Sequence, residues 1–396
     1  MQVAVGLSAI SCGISEIDGP GKVDVNDVWT APSSGIPSTS HSRTYVTAFD
    51  YPDGYDWRHN PEKGSVRCSL IVFSDSKPIM KVPVGDAYLV SDDPDMHRVI
   101  DGHLYTDFAA DSETVIKKDG KPFISYEGRE AIVTALVKND SLYTLGQKRN
   151  GKGFSYRING RVVLEMESGY VFGRLTEIQD DVCFAFAEPV ESSESKLERY
   201  YSFRKGSVSQ VALRDDVRKV WDVCFHQGKV CCLATLTGIS EPVIISESRL
   251  DALSMPYGST IVSGQFFSAG NILGIEMILE SGSDFFSAMW LQNTLFQKFA
   301  AGLTVSSIWS GGDGFACVLN SDSPSVGGAI FRMGERYEVP LGFCCLGGAP
   351  VDVADGILTV GLSSITGKKP LLWKDGKTEE LDVNGYICTV SSVPGK

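Results

Sequence analysis

The sequence predicts an all-β chain folded as a ring of four-stranded repeats, and three observations predict it. A hairpin signature recurs at near-constant spacing through most of the 396 residues. Short apolar runs bounded by turn residues fill the intervals, and no segment has sustained helical periodicity. The C-terminal segment Tyr386-Ile-Cys-Thr-Val390 matches the first strand of a repeat but has no later strands to join.

The signature is a large residue, two further residues, then a turn residue. Its clearest copies are Phe203-Arg-Lys-Gly206, Phe331-Arg-Met-Gly334 and Trp373-Lys-Asp-Gly376. Looser copies end at Ser76, Gly120, Gly160, Ser248 and Asn293, so that all eight end residues stand 40 to 46 apart. Asp-Gly and Asn-Gly suit two-residue β-hairpins because both residues tolerate positive φ. Each copy therefore marks a hairpin between two strands, and the flanks supply two more. One repeat reads as strands near Ala131–Lys138, Leu142–Lys148, Gly153–Ile158 and Val162–Glu167. The next reads as strands near Val171–Ile178, Val182–Ala187, Glu198–Arg204 and Val208–Leu213. Ser246–Met255, the nearest approach to a helical pattern, falls in register with the repeat as a strand or local turn. Four strands every ~43 residues is the blade of a β-propeller. The spacing predicts eight antiparallel blades, with seven as the alternative count.

The turns resemble those of uncharacterised bacterial propellers whose blades carry a W-K-[DN]-G hairpin. Trp373-Lys-Asp-Gly376 is the one full match, and the other copies keep the shape of the turn but not its letters. The resemblance spans residues 70–390 as architecture. It carries no catalytic motif and so implies no activity. Trp221-Asp222 is the one Trp-Asp dipeptide, at the wrong point of the repeat for a WD40 protein.

One propeller domain then accounts for residues 1–396. Its repeats fall at approximately 44–83, 86–127, 130–168, 170–214, 217–255, 259–301, 303–341 and 343–383, with 385–392 closing the ring. Closure by strands from both termini removes two exposed sheet edges. Val3-Ala-Val-Gly-Leu-Ser-Ala-Ile10 supports it, matching Leu358-Thr-Val-Gly-Leu-Ser-Ser-Ile365, the second strand of the last repeat, at five of eight positions. Residues 11–43, rich in Gly, Pro and Ser, read as a surface connection.

A net charge of −13 with no Lys/Arg run argues against nucleic acid as partner. No stretch approaches the ~18 apolar residues of a membrane span. The ten cysteines include no C-x-x-C pair, and most sit in apolar runs such as KVCCLA around Cys231–Cys232. They read as buried thiols, which favours a reducing, cytoplasmic location. The alternative is a lipid-anchored envelope protein. Ser11-Cys12 after an apolar stretch resembles the end of a lipoprotein signal, although no basic residue precedes it and the stretch is short.

Function is harder to read. Loops joining second and third strands lie on one face of a propeller with the inter-blade connectors. Four are long: Pro52–Gly64, Glu188–Lys196, Asn320–Gly328 and Ile365–Lys369. The first holds the candidate ligand-binding set: Tyr51, Asp53, Tyr55, Asp56, Trp57, Arg58 and His59. Aromatic faces pack on sugars or cations, and neighbouring carboxylates accept hydroxyl hydrogen bonds. The bland reading is a self-packed loop. Asp53-Gly-Tyr-Asp56 supplies too few oxygens for calcium. Asp92, Asp93, Asp95, His97, Asp101 and His103 match no zinc spacing and read as an acidic turn. No nucleophile elbow or phosphate loop occurs, and no cofactor or metal is expected. The chain reads as a non-catalytic binding propeller for a protein or glycan. The alternative is a carbohydrate-active enzyme with paired carboxylates at the channel mouth.

Overall fold

The computed structural model describes residues 43–57, 67–86, 98–110, 113–148, 152–190, 197–247, 249–269, 271–311, 314–323, 327–332, 335–346 and 350–393. Residues 1–42, with Val3–Ile10 and Cys12, lie outside them, as do Arg58, His59 and Asp92 to His97.

The hairpin signature builds the turns expected of it. Both central residues have positive φ at Asp75-Ser76, Asp119-Gly120, Asn159-Gly160, Lys205-Gly206 and Asp375-Gly376, each between the third and fourth strands of a blade. The acidic or amide residue also has a second use. Its side-chain oxygen accepts a backbone N–H from the start of the second strand: Leu104 to Asp119 at 2.9 Å, Leu142 to Asn159 at 2.8 Å, Leu358 to Asp375 at 3.1 Å. Its own N–H returns a bond to the same residue's carbonyl. Where Lys205 occupies this position the roles reverse, and Asp181 of the second strand accepts the Lys205 N–H.

These hairpins assemble eight four-stranded antiparallel blades into a ring, an eight-bladed β-propeller. The second blade runs Arg98–Ile100, His103–Ala110, Glu113–Lys118, Lys121–Glu127 from the centre outward. Later blades repeat this order. The innermost strand is split in the fourth blade into Tyr170–Val171 and Thr176–Ile178, and in the eighth into Phe343–Cys344 and Val351–Ala354. Second strands are sandwiched between neighbouring blades, so Ile272–Ser281 is buried over seven consecutive residues instead of alternating. Outermost strands such as Ser207–Gln210 and Lys377–Glu380 are exposed throughout. This explains the weak alternation in the sequence.

The first blade closes the ring. Its innermost strand is the C-terminal Gly385–Val393, paired with Arg43–Asp50, which is followed outward by Arg67–Ser74 and Lys77–Asp86. Arg43–Asp50 thus takes the place beside the C-terminal strand for which the sequence suggested Val3–Ile10. Among the described residues the core forms eight apolar clusters, one in each interface between adjacent blades. The one joining Leu372, Leu381 and Val383 to Val46, Ile71, Phe73 and Ile387 seals the eighth blade to the first.

Polar staples cross the same interfaces. The N–H groups of Ile132, Phe266, Val305 and Ile387, all on innermost strands, donate to Asp107, Asp222, Ser287 and Ser363 of the preceding blade. Beside Ile132, Val305 and Ile387 the strand bulges. A buried N–H must find a partner, and the neighbouring blade provides it.

Candidate functional site

Loops after second strands share a face with the inter-blade connectors, and hydrogen bonds join the two. Asn384, in the connector from the eighth blade, donates its N–H to Asp50 Oδ1 at 3.0 Å. Its side-chain amide donates to the carbonyls of Pro52 and Tyr55, at 2.8 and 3.1 Å. The Tyr51 N–H donates back to the Asn384 carbonyl at 2.9 Å. A turn with Gly54 at φ 80° lets Tyr55 N–H reach the Pro52 carbonyl. Residues 50–55 of the loop are thereby tied to the connector that leads into the C-terminal strand closing the ring.

Its aromatic residues form one stack. Trp57 lies 5.1 Å from Tyr386 and 6.3 Å from Tyr51, nearly parallel to the latter at 13°. Tyr51 also meets Tyr55 at 5.5 Å. Tyr51 is buried and Tyr55, Asp56 and Trp57 are half-buried, while Asp53 is exposed. Burial raises the phenol pKa of Tyr51 and of Tyr386, to which it is hydrogen-bonded. The structure therefore brings Tyr51, Tyr55 and Trp57 together. Arg58 and His59 are outside the described residues. Asn384 and Tyr386, more than 300 positions away, carried no sign of this contact in the sequence.

The same face carries exposed apolar side chains. Ile239 and Ile365 lie after the second strands of the fifth and eighth blades, and Tyr257 and Leu341 in connectors. Tyr257 and Leu341 are the most exposed large apolar residues among those described, at 103% and 60%.

Buried carboxylates are distributed around the ring. Glu130 binds Arg157 at 2.9 Å and accepts from Ser155 and Tyr126, while the guanidinium lies 3.9 Å above the Tyr126 ring. Asp222 accepts from Arg174 at 2.6 Å and from the N–H groups of Val223 and Phe266. Glu276 accepts from Ser287 at 2.6 Å and from Gln265 at 3.2 Å, and burial raises its pKa to about 7. Asp352 is also raised by burial, against hydrogen bonds from Ser392 and Trp309. Glu130, Asp222 and Glu276 belong to three different blades and keep separate donors. His103 bonds Asp119 across a turn at 2.7 Å. Among the described residues no three His, Cys, Asp or Glu side chains are grouped to hold a metal, and no helix is long and apolar enough to cross a membrane.

No family model matches the chain, and no curated protein matches it. Solved structures do. A dihydro-heme d1 dehydrogenase in complex with its ligand aligns with a TM-score of 0.47 at 10% identity, covering 88% of this chain and 73% of that one. The β-propeller domain of the Trilobed protease from Pyrococcus furiosus aligns with a TM-score of 0.45 at 11% identity, covering 87% and 97%. A prolyl endopeptidase aligns with a TM-score of 0.47 at 11% identity, covering 85% of this chain and 55% of its own.

Proposed function

We propose that this chain is a non-catalytic interaction propeller that presents its loop face to a protein or glycan. The observation that carries this reading is the exposure of Tyr257 and Leu341 on that face. Leaving large apolar side chains in water is unfavourable, and on a loop face such side chains suit contact with a partner. The loop of Asp53, Tyr55, Asp56, Trp57, Arg58 and His59 is proposed as part of the same surface, its half-buried rings held rigid by Tyr51 and Tyr386. Rigid aromatic anchors lose little entropy on binding. Hydrolysis of a glycoside asks for two carboxylates flanking one bond. Glu130, Asp222 and Glu276 are instead each engaged by donors within their own packing, which favours binding over catalysis.

The test is a thermal-shift screen of the purified chain against glycans, metabolites and peptides, since a ligand of the native state raises the melting temperature. A hit is then measured against the double variant Tyr257→Ser/Leu341→Ser. The expected result is an unchanged melting temperature without ligand and loss of the ligand's shift. A shift that survives the double substitution overturns the reading.

A further inference from the structure

Among the nine described cysteines, all free, one pair stands directly opposed. Cys224 and Cys231 face each other across the first two strands of the fifth blade, three residues either side of the Gln227-Gly228 turn. Both side chains enter the same apolar cluster between the fifth and sixth blades, whereas Cys232 belongs to the cluster on the other side. Opposed residues on antiparallel strands have Cα atoms ~4.5–5.5 Å apart, and a disulfide spans Cα separations of ~4.4–6.8 Å. The two thiols are already hydrogen-bonded to each other.

We propose that Cys224 and Cys231 form a redox modification site: a cross-strand dithiol that peroxide converts to a disulfide within the folded blade. The surroundings assign the roles. Cys231 accepts the hydrogen bond from Cys224, which lowers its pKa to about 7 against the effect of burial, with help from Ser246 and the nearby Lys229 ammonium. Cys224 is pushed well up by the same hydrogen bond and by burial, so it remains a thiol. Cys231, on the second strand, stands between Cys224 and Ser246 in the register and two residues from Lys229, and is assigned as the attacking thiolate, with Cys224 on the innermost strand as the resolving group.

The Cys231 proton goes to solvent, and the thiolate sulfur attacks one peroxide oxygen. The O–O bond breaks, hydroxide leaves and takes up a proton, and Cys231 becomes a sulfenic acid. The Cys224 sulfur then attacks the Cys231 sulfur. The S–OH bond breaks, and the hydroxyl departs as water with the Cys224 proton. Two thiols and one peroxide give one disulfide and two waters, the thiols oxidised and the peroxide reduced.

The experiment treats the folded chain with hydrogen peroxide and follows intact mass, then maps tryptic peptides without reduction. The expected result is loss of two hydrogens, joining of peptides 220–229 and 230–249, and recovery of the parent mass with dithiothreitol. Cys224→Ser should stop at a sulfenic acid on Cys231 that dimedone traps. Cys231→Ser should slow oxidation at this site, now read on the remaining Cys224, by about tenfold or more. Each variant is paired with its alanine counterpart in case the serine is poorly tolerated, and the mapping of the parent chain needs no variant. Unchanged mass, prior oxidation of another cysteine, or equal rates for Cys231→Ser and the parent would overturn the proposal.

Discussion

At the residue scale, Glu276 shows how burial becomes a pH dependence. Its carboxyl has only neutral donors, Ser287 and Gln265, and its pKa rises from 4.5 to about 7. The folded state therefore holds a proton that the unfolded state has lost between those values. The favourable contribution is complete below pH ~4.5, declines as pH rises, and is gone above pH ~7. Glu276→Gln should flatten the stability curve in that window. Above pH 7 it should stabilise the chain by up to roughly 3 kcal/mol, read from urea midpoints at several pH values. A parallel decline in parent and variant would remove Glu276 as its source. Trp57 is a second case. Its ring packs on Tyr51 and Tyr386, so Trp57→Ala should lower stability by about 1–2 kcal/mol. No change in the melting temperature would mean that the stack is not formed in solution.

At the scale of the element, the third–fourth strand hairpin is the unit that repeats. Asn159 serves it twice, adopting φ 49° and accepting the Leu142 N–H. Asn159→Gly should keep the backbone conformation and lose only the side-chain bond, costing about 1 kcal/mol. Asn159→Ala loses the bond and adds strain at positive φ, and should cost about 1–2 kcal/mol more. Equal losses would show that the turn tolerates alanine without strain. The closing strand has a comparable weak point at its start. A Cβ on Gly385 would collide with the Phe49 carbonyl oxygen. Gly385→Ala should therefore cost about 1–3 kcal/mol by pushing the C-terminal strand off Arg43–Asp50, seen as a lower thermal midpoint and faster amide exchange at Phe49. Wild-type exchange there would show that the strand shifts without penalty.

At the scale of the molecule, stability depends on closure. Removing residues 385–396 deletes the innermost strand of the first blade and takes Ile387 and Val390 out of the cluster that joins it to the eighth. Arg43–Asp50 would then be an unpaired edge, a template for pairing with other chains. The truncated protein should melt well below the parent and should aggregate on heating. A soluble monomer with the parent's melting temperature would show that the ring does not need its C-terminal strand.

The repeat was legible in the sequence because its cause is local. Positive φ at a two-residue turn selects Asp, Asn and Gly within a few positions, so Asp119-Gly120, Asn159-Gly160 and Asp375-Gly376 announced their hairpins. The orphan strand at Tyr386–Val390 announced closure, since an unpaired edge is costly. Other features depended on the ring. Nothing near Tyr51 or Trp57 indicated that Asn384 and Tyr386 would hold them. Nothing near Asp222 or Glu130 marked the former as a staple to Phe266 and the latter as the partner of Arg157. Cys224 and Cys231 read as two more buried thiols until the strand register set them opposite each other. The turns by themselves determined where the third and fourth strands of a blade meet. Tertiary structure decided what each buried polar group meets, because every such group must be satisfied by whatever the neighbouring blade brings within hydrogen-bonding distance.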